Sequence, residues 1–304
     1  MATRTLDTGS VLPVLTVALA IAFFSTMDAV MKDLTLAIGT YNAIFWSMLL
    51  GVAMSAIFYL GMRRPSFPSR ATFRIHLTRG AVSTVMAVAF FWGLARVPLA
   101  EAIALTFVAP LIALYLAAVF LGEPVGRRAV IASLIGFAGV VVIVGARAAE
   151  PGDRDLWGAA SLLLSAAFYA WNIILMRRQA LVAGPLEVAF FQTLIVASIL
   201  ALAAPVLAVP PPAEHWGAIA FAALLAFVSL LLFAWAYARA EAQRLAPIEY
   251  SALLWGALFG FLFFDERVTA PTLLGAALIV SGCLLAARGD GARAAPAPAA
   301  EAAL

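Results

Sequence analysis

The chain is short of the residues that do chemistry in water. Of its 304 residues only 12% are Asp, Glu, Lys or Arg, with one cysteine and two histidines. Cys283 lies within an apolar run, so no intramolecular disulfide is possible and redox chemistry is not expected. His76 and His215 read as residues of a membrane interface, and neither has a partner at metal-ligand spacing. No phosphate-binding glycine loop, nucleotide motif or catalytic triad arrangement occurs, so neither an enzyme nor a cofactor is expected. The net charge of +3 is too dispersed to suggest nucleic-acid binding.

What is abundant is apolar. Hydrophobic residues make up 65% of the chain, where a soluble domain has about half apolar and about 25% charged residues. A helix needs about 20 apolar residues to cross the hydrocarbon core. Ten such spans are read, at about 12–32, 41–61, 76–96, 98–121, 128–146, 157–176, 186–207, 216–237, 246–264 and 270–287. The expected fold is an all-α polytopic membrane protein with no soluble domain. Residues 1–11 form a short arm without the small-residue pattern of a cleaved signal, and the first apolar run continues into Asp28 and Lys32. The segment is therefore kept as a helix. Pro210-Pro211-Pro212 makes a stiff, extended connection. Residues 147–156 form a mixed-charge linker, and the Ala/Pro-rich tail 289–304 is expected to be disordered.

With ten spans, fourteen of the 19 Lys and Arg residues fall on the side of the N-terminus. The positive-inside rule then places both termini in the cytoplasm and the protein in the bacterial inner membrane.

The chain also repeats. An offset of 143 aligns Trp92 with Trp235, Arg96 with Arg239, Glu123 with Glu266, Val125 with Val268 and Gly139 with Gly282. A looser offset of 145 aligns Phe23–Lys32 with Phe168–Arg177. Five spans per copy is odd, so the second copy, 157–288, must sit inverted relative to the first, 12–146. Inverted repeats around a buried site are a transporter architecture.

With Pro98-Leu99-Ala100-Glu101-Ala102, then Pro110, Leu121-Gly122-Glu123 and the glycine-spaced Ile135–Gly139, the chain resembles the EamA-type carriers of the drug/metabolite transporter superfamily. Leu245-Ala246-Pro247 through Asp265-Glu266 is the looser second copy. The resemblance implies a 5+5 fold around a cavity lined by spans 1, 3, 4, 6, 8 and 9. It also implies transport of small organic solutes, with amino-acid exporters, including those of aromatic amino acids, among prominent members.

Candidate residues divide into three groups. Pro110 and Pro247 are hinge candidates, because proline removes a backbone hydrogen bond and clashes with the carbonyl four residues back. For Pro110 that carbonyl belongs to Thr106, and a kink would turn Thr106 toward a cavity; packing geometry alone is the alternative. Asp28 and Lys32, at i and i+4, read as an interfacial pair or as an outer gate with Arg96 and Glu101. Glu187 and Glu249, with Arg239 and Arg244 nearby, are an inner gate or plain helix-end anchors. Trp92, Tyr169, Trp171, Asn172, Trp235, Tyr237, Tyr250 and Trp255 are candidates for substrate contact. Aromatic faces with a few placed polar groups suit small molecules, although Trp and Tyr also collect at interfaces as belts. Gly256, Gly260, Ala132 and Gly136 read as close helix contacts, and Glu123 as a helix-end anchor beside Arg127 and Arg128.

The expected function is a secondary carrier exporting amino acids or related metabolites by alternating access. Uptake of a vitamin or nucleoside-type metabolite, or multidrug efflux, is the alternative. The expected partners are a small-molecule substrate and the lipid bilayer, with the oligomeric state left open.

Overall fold

A computed structural model describes residues 11–61, 67–121, 125–149, 156–240 and 242–287. Among these residues every regular element is a helix, as lipid requires of chains whose backbone groups have no water to bond. The first three spans are α1 (Leu12–Ile38), α2 (Thr40–Leu60) and α3 (Arg70–Leu94). The fourth comes in two pieces, α4 (Leu99–Thr106) and α5 (Ala109–Leu121), and the fifth is α6 (Arg127–Ala149). The second half begins with α7 (Leu156–Ala180) and α8 (Pro185–Ala201), followed by a single turn, α9 (Ala204–Leu207). A 3₁₀ turn (Ala213–His215) leads into α10 (Trp216–Tyr237). The ninth span is again split, into α11 (Ala242–Glu249) and α12 (Ala252–Phe264), and α13 (Ala270–Ala287) is the tenth.

Nine helical segments among the described residues are long and apolar enough to cross a membrane, and α8 is a shorter apolar helix in the seventh position. The all-α polytopic fold is therefore present. Several helices outrun the sequence boundaries: α1 continues to Ile38, so Lys32 lies within the helix, and α6 continues to Ala149, into the expected linker. The N-terminal arm, the tail and Glu123 lie outside the described residues.

The two halves pack as a pseudo-symmetric pair. Spans 3 and 6 form one intimate contact, and spans 8 and 1 form its counterpart. Spans 5 and 10 pack on each other, as do 2 and 7. At the 5–10 seam glycine is obligatory: a Cβ on Gly139 would stand 2.4 Å from the Gly275 carbonyl oxygen, and one on Gly282 2.6 Å from that of Ala132. Small residues here let backbones approach where helix association cannot rely on the hydrophobic effect.

The breaks in spans 4 and 9 are in register. Val108 N–H bonds the Leu105 carbonyl at 3.3 Å, and Ser251 N–H bonds that of Ile248 at 2.9 Å, 143 residues on. Leu111 and Ile112 both return to the Val108 carbonyl, as Leu254 and Trp255 return to that of Ser251. Pro110 explains the first break, because the residues before a proline are pushed out of helical geometry. Pro247 does not explain the second, since α11 runs through it to Glu249.

Symmetry fails in one respect. At the end of the bundle away from the termini, the far end, α4 packs on α12. At the end that carries the termini, the terminal end, α5 and α11 have no comparable contact among the described residues. The far end is closed by the halves that are parted at the other.

Candidate functional site

The far-end closure is built on a turn. Helix α12 ends with Asp265 in the left-handed region (φ 52°), and Glu266 N–H reaches back to the Gly260 carbonyl at 2.9 Å. Aspartate is among the few non-glycine residues that adopt this conformation readily. The turn aims Glu266 inward, where one carboxylate oxygen meets Lys32 and the other accepts the Leu99 N–H at 2.7 Å. Leu99 is the first residue of α4, so the carboxylate sits on the free donors and positive dipole end of that helix. Lys32 also donates to the Val97 carbonyl at 2.8 Å and lies over the Phe264 ring at 5.1 Å. Beside this clasp, Arg147 grips both oxygens of Glu101 at 2.8 and 3.1 Å. Spans 1, 4, 5 and 9 are thereby tied at one end.

This corrects the outer gate in its pairings. Lys32 binds Glu266 rather than its helical neighbour Asp28, whose Oδ1 has no hydrogen-bond partner although the residue is buried. Glu101 binds Arg147, and the Arg96 guanidinium lies 3.6 Å over the Trp92 ring while donating to the Trp92 carbonyl. Arg239 repeats that arrangement on Trp235 at 4.2 Å, so the aligned Trp–Arg pairs are a symmetric stack at opposite ends.

Between the ends, the two breaks meet. The Phe107 and Tyr250 rings are edge to face at 5.2 Å, and Cys283 of α13 donates to the Phe107 carbonyl at 3.2 Å and also meets the Tyr250 hydroxyl. The Thr106 hydroxyl donates to the Ile103 carbonyl of its own helix at 2.8 Å. From this knot toward the terminal end, the phenol of Tyr237 donates to the buried Glu249 carboxylate, with Tyr169 and Tyr250 close by. Trp255 is half-buried, stacks on Phe259 at 5.6 Å, and packs against a buried cluster built from α1 and α10 that includes Ile21 and Phe233. Spans 1, 4, 6, 8 and 9 thus surround an aromatic wall with one carboxylate in it.

The terminal end holds a polar chain that the sequence reading missed. Arg79 on α3 is 1% exposed and donates to Asn172 Oδ1 at 3.0 Å and to Gln179 Oε1. A guanidinium is donor only, so Gln179 must turn its amide N–H₂ to His76 Nδ1, at 2.5 Å. Nδ1 then accepts, which leaves His76 Nε2–H to donate to Glu187 at 3.1 Å. His76 is fully buried within the bundle. Of the inner-gate candidates, Glu187 meets His76, Glu249 accepts from Tyr237 and Arg239 is stacked on Trp235; the Arg244 side chain lies outside the described set. Asn172 belongs to this chain through Oδ1, which also accepts from Ser83 at 3.3 Å, while its Nδ2 is buried without a partner.

Among the aromatic candidates, Trp171 is 39% exposed, with its ring near that of Phe168 at 6.3 Å. Gln192 and Ser229 were not singled out from sequence, yet both amide atoms of Gln192 and the Ser229 hydroxyl are buried and unpartnered. Their types are ordinary in apolar spans, and only packing shows what they lack. A small apolar cleft lies among Met27 and Met31 of span 1, Phe91 of span 3 and Ala222 of span 8, with Met48 of span 2 and Thr193 of span 7 completing its wall.

A polytopic helical bundle of two inverted halves, with broken helices meeting at a buried knot and one end clasped shut, is the build of a membrane transporter. Two stretches of the chain, residues 11–145 and 156–288, match the EamA-like transporter family, and the chain belongs to that family. It is 27% identical over 282 residues to a pseudopaline exporter, CntI, of Pseudomonas aeruginosa, covering 90% of this chain and 95% of that protein. It is 31% identical over 277 residues to a riboflavin transporter of Rhizobium johnstonii, covering 88% of each. It is 25% identical to an S-adenosylmethionine uptake transporter of Rickettsia bellii, covering 69% of this chain and 71% of that one. A solved crystal structure matches with a TM-score of 0.61 at 23% identity, over 90% of this chain and 95% of its own, which establishes the fold. The protein is thus a multi-pass membrane transporter for small molecules.

Proposed function

We propose that this transporter is a secondary carrier that exports amino acids or amino-acid-derived metabolites across the bacterial inner membrane by alternating access, with both termini cytoplasmic. The observation that carries the reading is the asymmetry of the broken spans: α4 is packed on α12, while α5 and α11 have no comparable contact among the described residues. A carrier with pseudo-symmetric halves exchanges two such arrangements, and solute enters from whichever end is parted. The solute would lie against Tyr169, Tyr237, Tyr250 and Trp255, with Glu249 as the charged group nearest an ammonium function. Asn172 supplies an unpartnered amide N–H₂ for a carboxylate or carbonyl. Trp92 and Trp235 position Arg96 and Arg239 at the two ends rather than touching solute. Pro110 serves as the hinge of span 4, and Pro247 stands beside that of span 9.

A second reading is uptake of a vitamin-like heteroaromatic solute, favoured by the likeness to a riboflavin transporter. Counterflow in proteoliposomes tests both. Vesicles loaded with unlabelled amino acids should accumulate the labelled amino acid that the protein carries; accumulation only with riboflavin or S-adenosylmethionine would replace the first reading with the second.

A further inference from the structure

Asp28 is 4% exposed on α1, one helical turn from Lys32 toward the middle of the bundle, and its Oδ1 has no partner. Among the described side chains, the elements packed on α1 bring no opposite charge to its depth. On α2 the titratable residues are Tyr41 and Tyr59, near its two ends; on α3 they are Arg70, Arg74, His76 and Arg79, toward the terminal end. On α10 there is only Tyr237, at its last residue; α11 has Arg244 and Glu249, Tyr250 follows it, and α12 has none. What faces Asp28 is Lys32 of its own helix, with Asp33 exposed beyond it, and Lys32 is turned away onto Glu266.

We propose that Asp28 is a proton-binding site and that its protonation state decides which carboxylate Lys32 holds. This rests on the carrier reading above. An uncompensated carboxylate is costly inside a bilayer protein, so with the far end closed Asp28 carries a proton. A metal ion would need several oxygen ligands, and no group of three or more metal-binding side chains occurs among the described residues. Opening the far end separates Lys32 from Glu266, which leaves with α12, and from the Val97 carbonyl, which leaves with the start of α4. The carboxyl group within reach at i−4 is then Asp28. Its O–H bond breaks, the proton passes to water, and Asp28 pairs with Lys32, which stays charged throughout. Closing reverses each step. The closed form therefore holds one more proton than the open form, and acid favours closure.

The test is the distance between spin labels at the far end, on Ala37→Cys and Ala270→Cys in a Cys283→Ser background, for the full chain in lipid nanodiscs. In the wild-type background the ratio of short to long distances should rise by up to about tenfold per unit fall in pH over part of the range, the limit for one proton. Asp28→Asn should abolish that dependence and hold the far end short; Asp28→Glu, which keeps the carboxyl group, should retain it. An equal pH dependence in Asp28→Asn, or two wild-type distances whose ratio ignores pH, overturns the proton site and leaves the carrier standing. A single distance at every pH, with no solute counterflow, overturns both.

Discussion

Phe107 and Tyr250 are 143 residues apart in sequence and touch edge to face, 5.2 Å between ring centres. Each marks the point where its transmembrane span stops being one helix. The same offset relates the hydrogen bonds on both sides of each break, so the contact joins equivalent points of the two inverted halves. A movement of α4 relative to α5 cannot occur there without being felt by α11 and α12. That coupling is what a carrier with one solute pathway requires, since both ends must not open together.

The clasp between Lys32 and Glu266 should govern the far end. Removing the ammonium leaves a part-buried carboxylate facing Leu99 alone, and breaking a buried pair this way costs about 3–5 kcal/mol. Lys32→Leu is expected to shift the population toward a far-end-open form and to lower solute counterflow at least about tenfold. Spin-label distances and counterflow on the same preparation check it.

Asp265 separates backbone from side-chain effects. A β-branched residue in its left-handed turn should cost about 1–2 kcal/mol, whereas glycine should cost nothing there. Asp265→Val should therefore lower the thermal midpoint and weaken the Glu266 clasp, and Asp265→Gly should do neither. Thermal unfolding of the purified protein compares the two.

Glycine contacts differ by what they face. At Gly139 a side chain meets the backbone of Gly275, which cannot yield, so Gly139→Leu should destabilise the whole fold by about 1–3 kcal/mol or more. At Gly256 it meets the tip of Ile103, 2.5 Å away, which can turn aside for a methyl group. Gly256→Ala should fold normally, while Gly256→Leu should hold α4 off α12 and favour far-end opening. Thermal midpoints and far-end distances distinguish the two sites.

The aromatic wall should affect solute. Trp255→Ala is expected to raise the half-saturating solute concentration about tenfold or more with little change in thermal midpoint, whereas Tyr237→Phe should raise it and also lower the midpoint, because the buried Glu249 carboxylate loses its phenol donor. Normal transport by both Trp255→Ala and Tyr237→Phe would place the solute elsewhere.

Much of this was legible in the sequence, because lipid leaves few choices. Apolar runs long enough to span can only be helices, and an odd number per repeat inverts the second copy. The Trp92–Arg96 and Trp235–Arg239 matches turned out to be paired ring–guanidinium stacks. What was not legible depends on contacts between distant residues. Lys32 and Asp28 are neighbours on a helix, but the partner of Lys32 is 234 residues away. His76 sits in a stretch rich in polar residues that suits an interface, and only packing against Gln179 and Glu187 shows it to be interior. Proline marks the first break and misses the second, which follows the register of the repeat.

The central claim is that spans 4 and 9 part at one end while meeting at the other. Spin-label distances across both ends of one preparation test it most directly: Ala37→Cys with Ala270→Cys at the far end, and Phe120→Cys with Ala238→Cys at the terminal end, each in the Cys283→Ser background. The account predicts two populations, with the conditions that lengthen the far-end distance shortening the terminal one. Distances that lengthen together, or that stay single and fixed in Lys32→Leu as in the wild-type background, would contradict it.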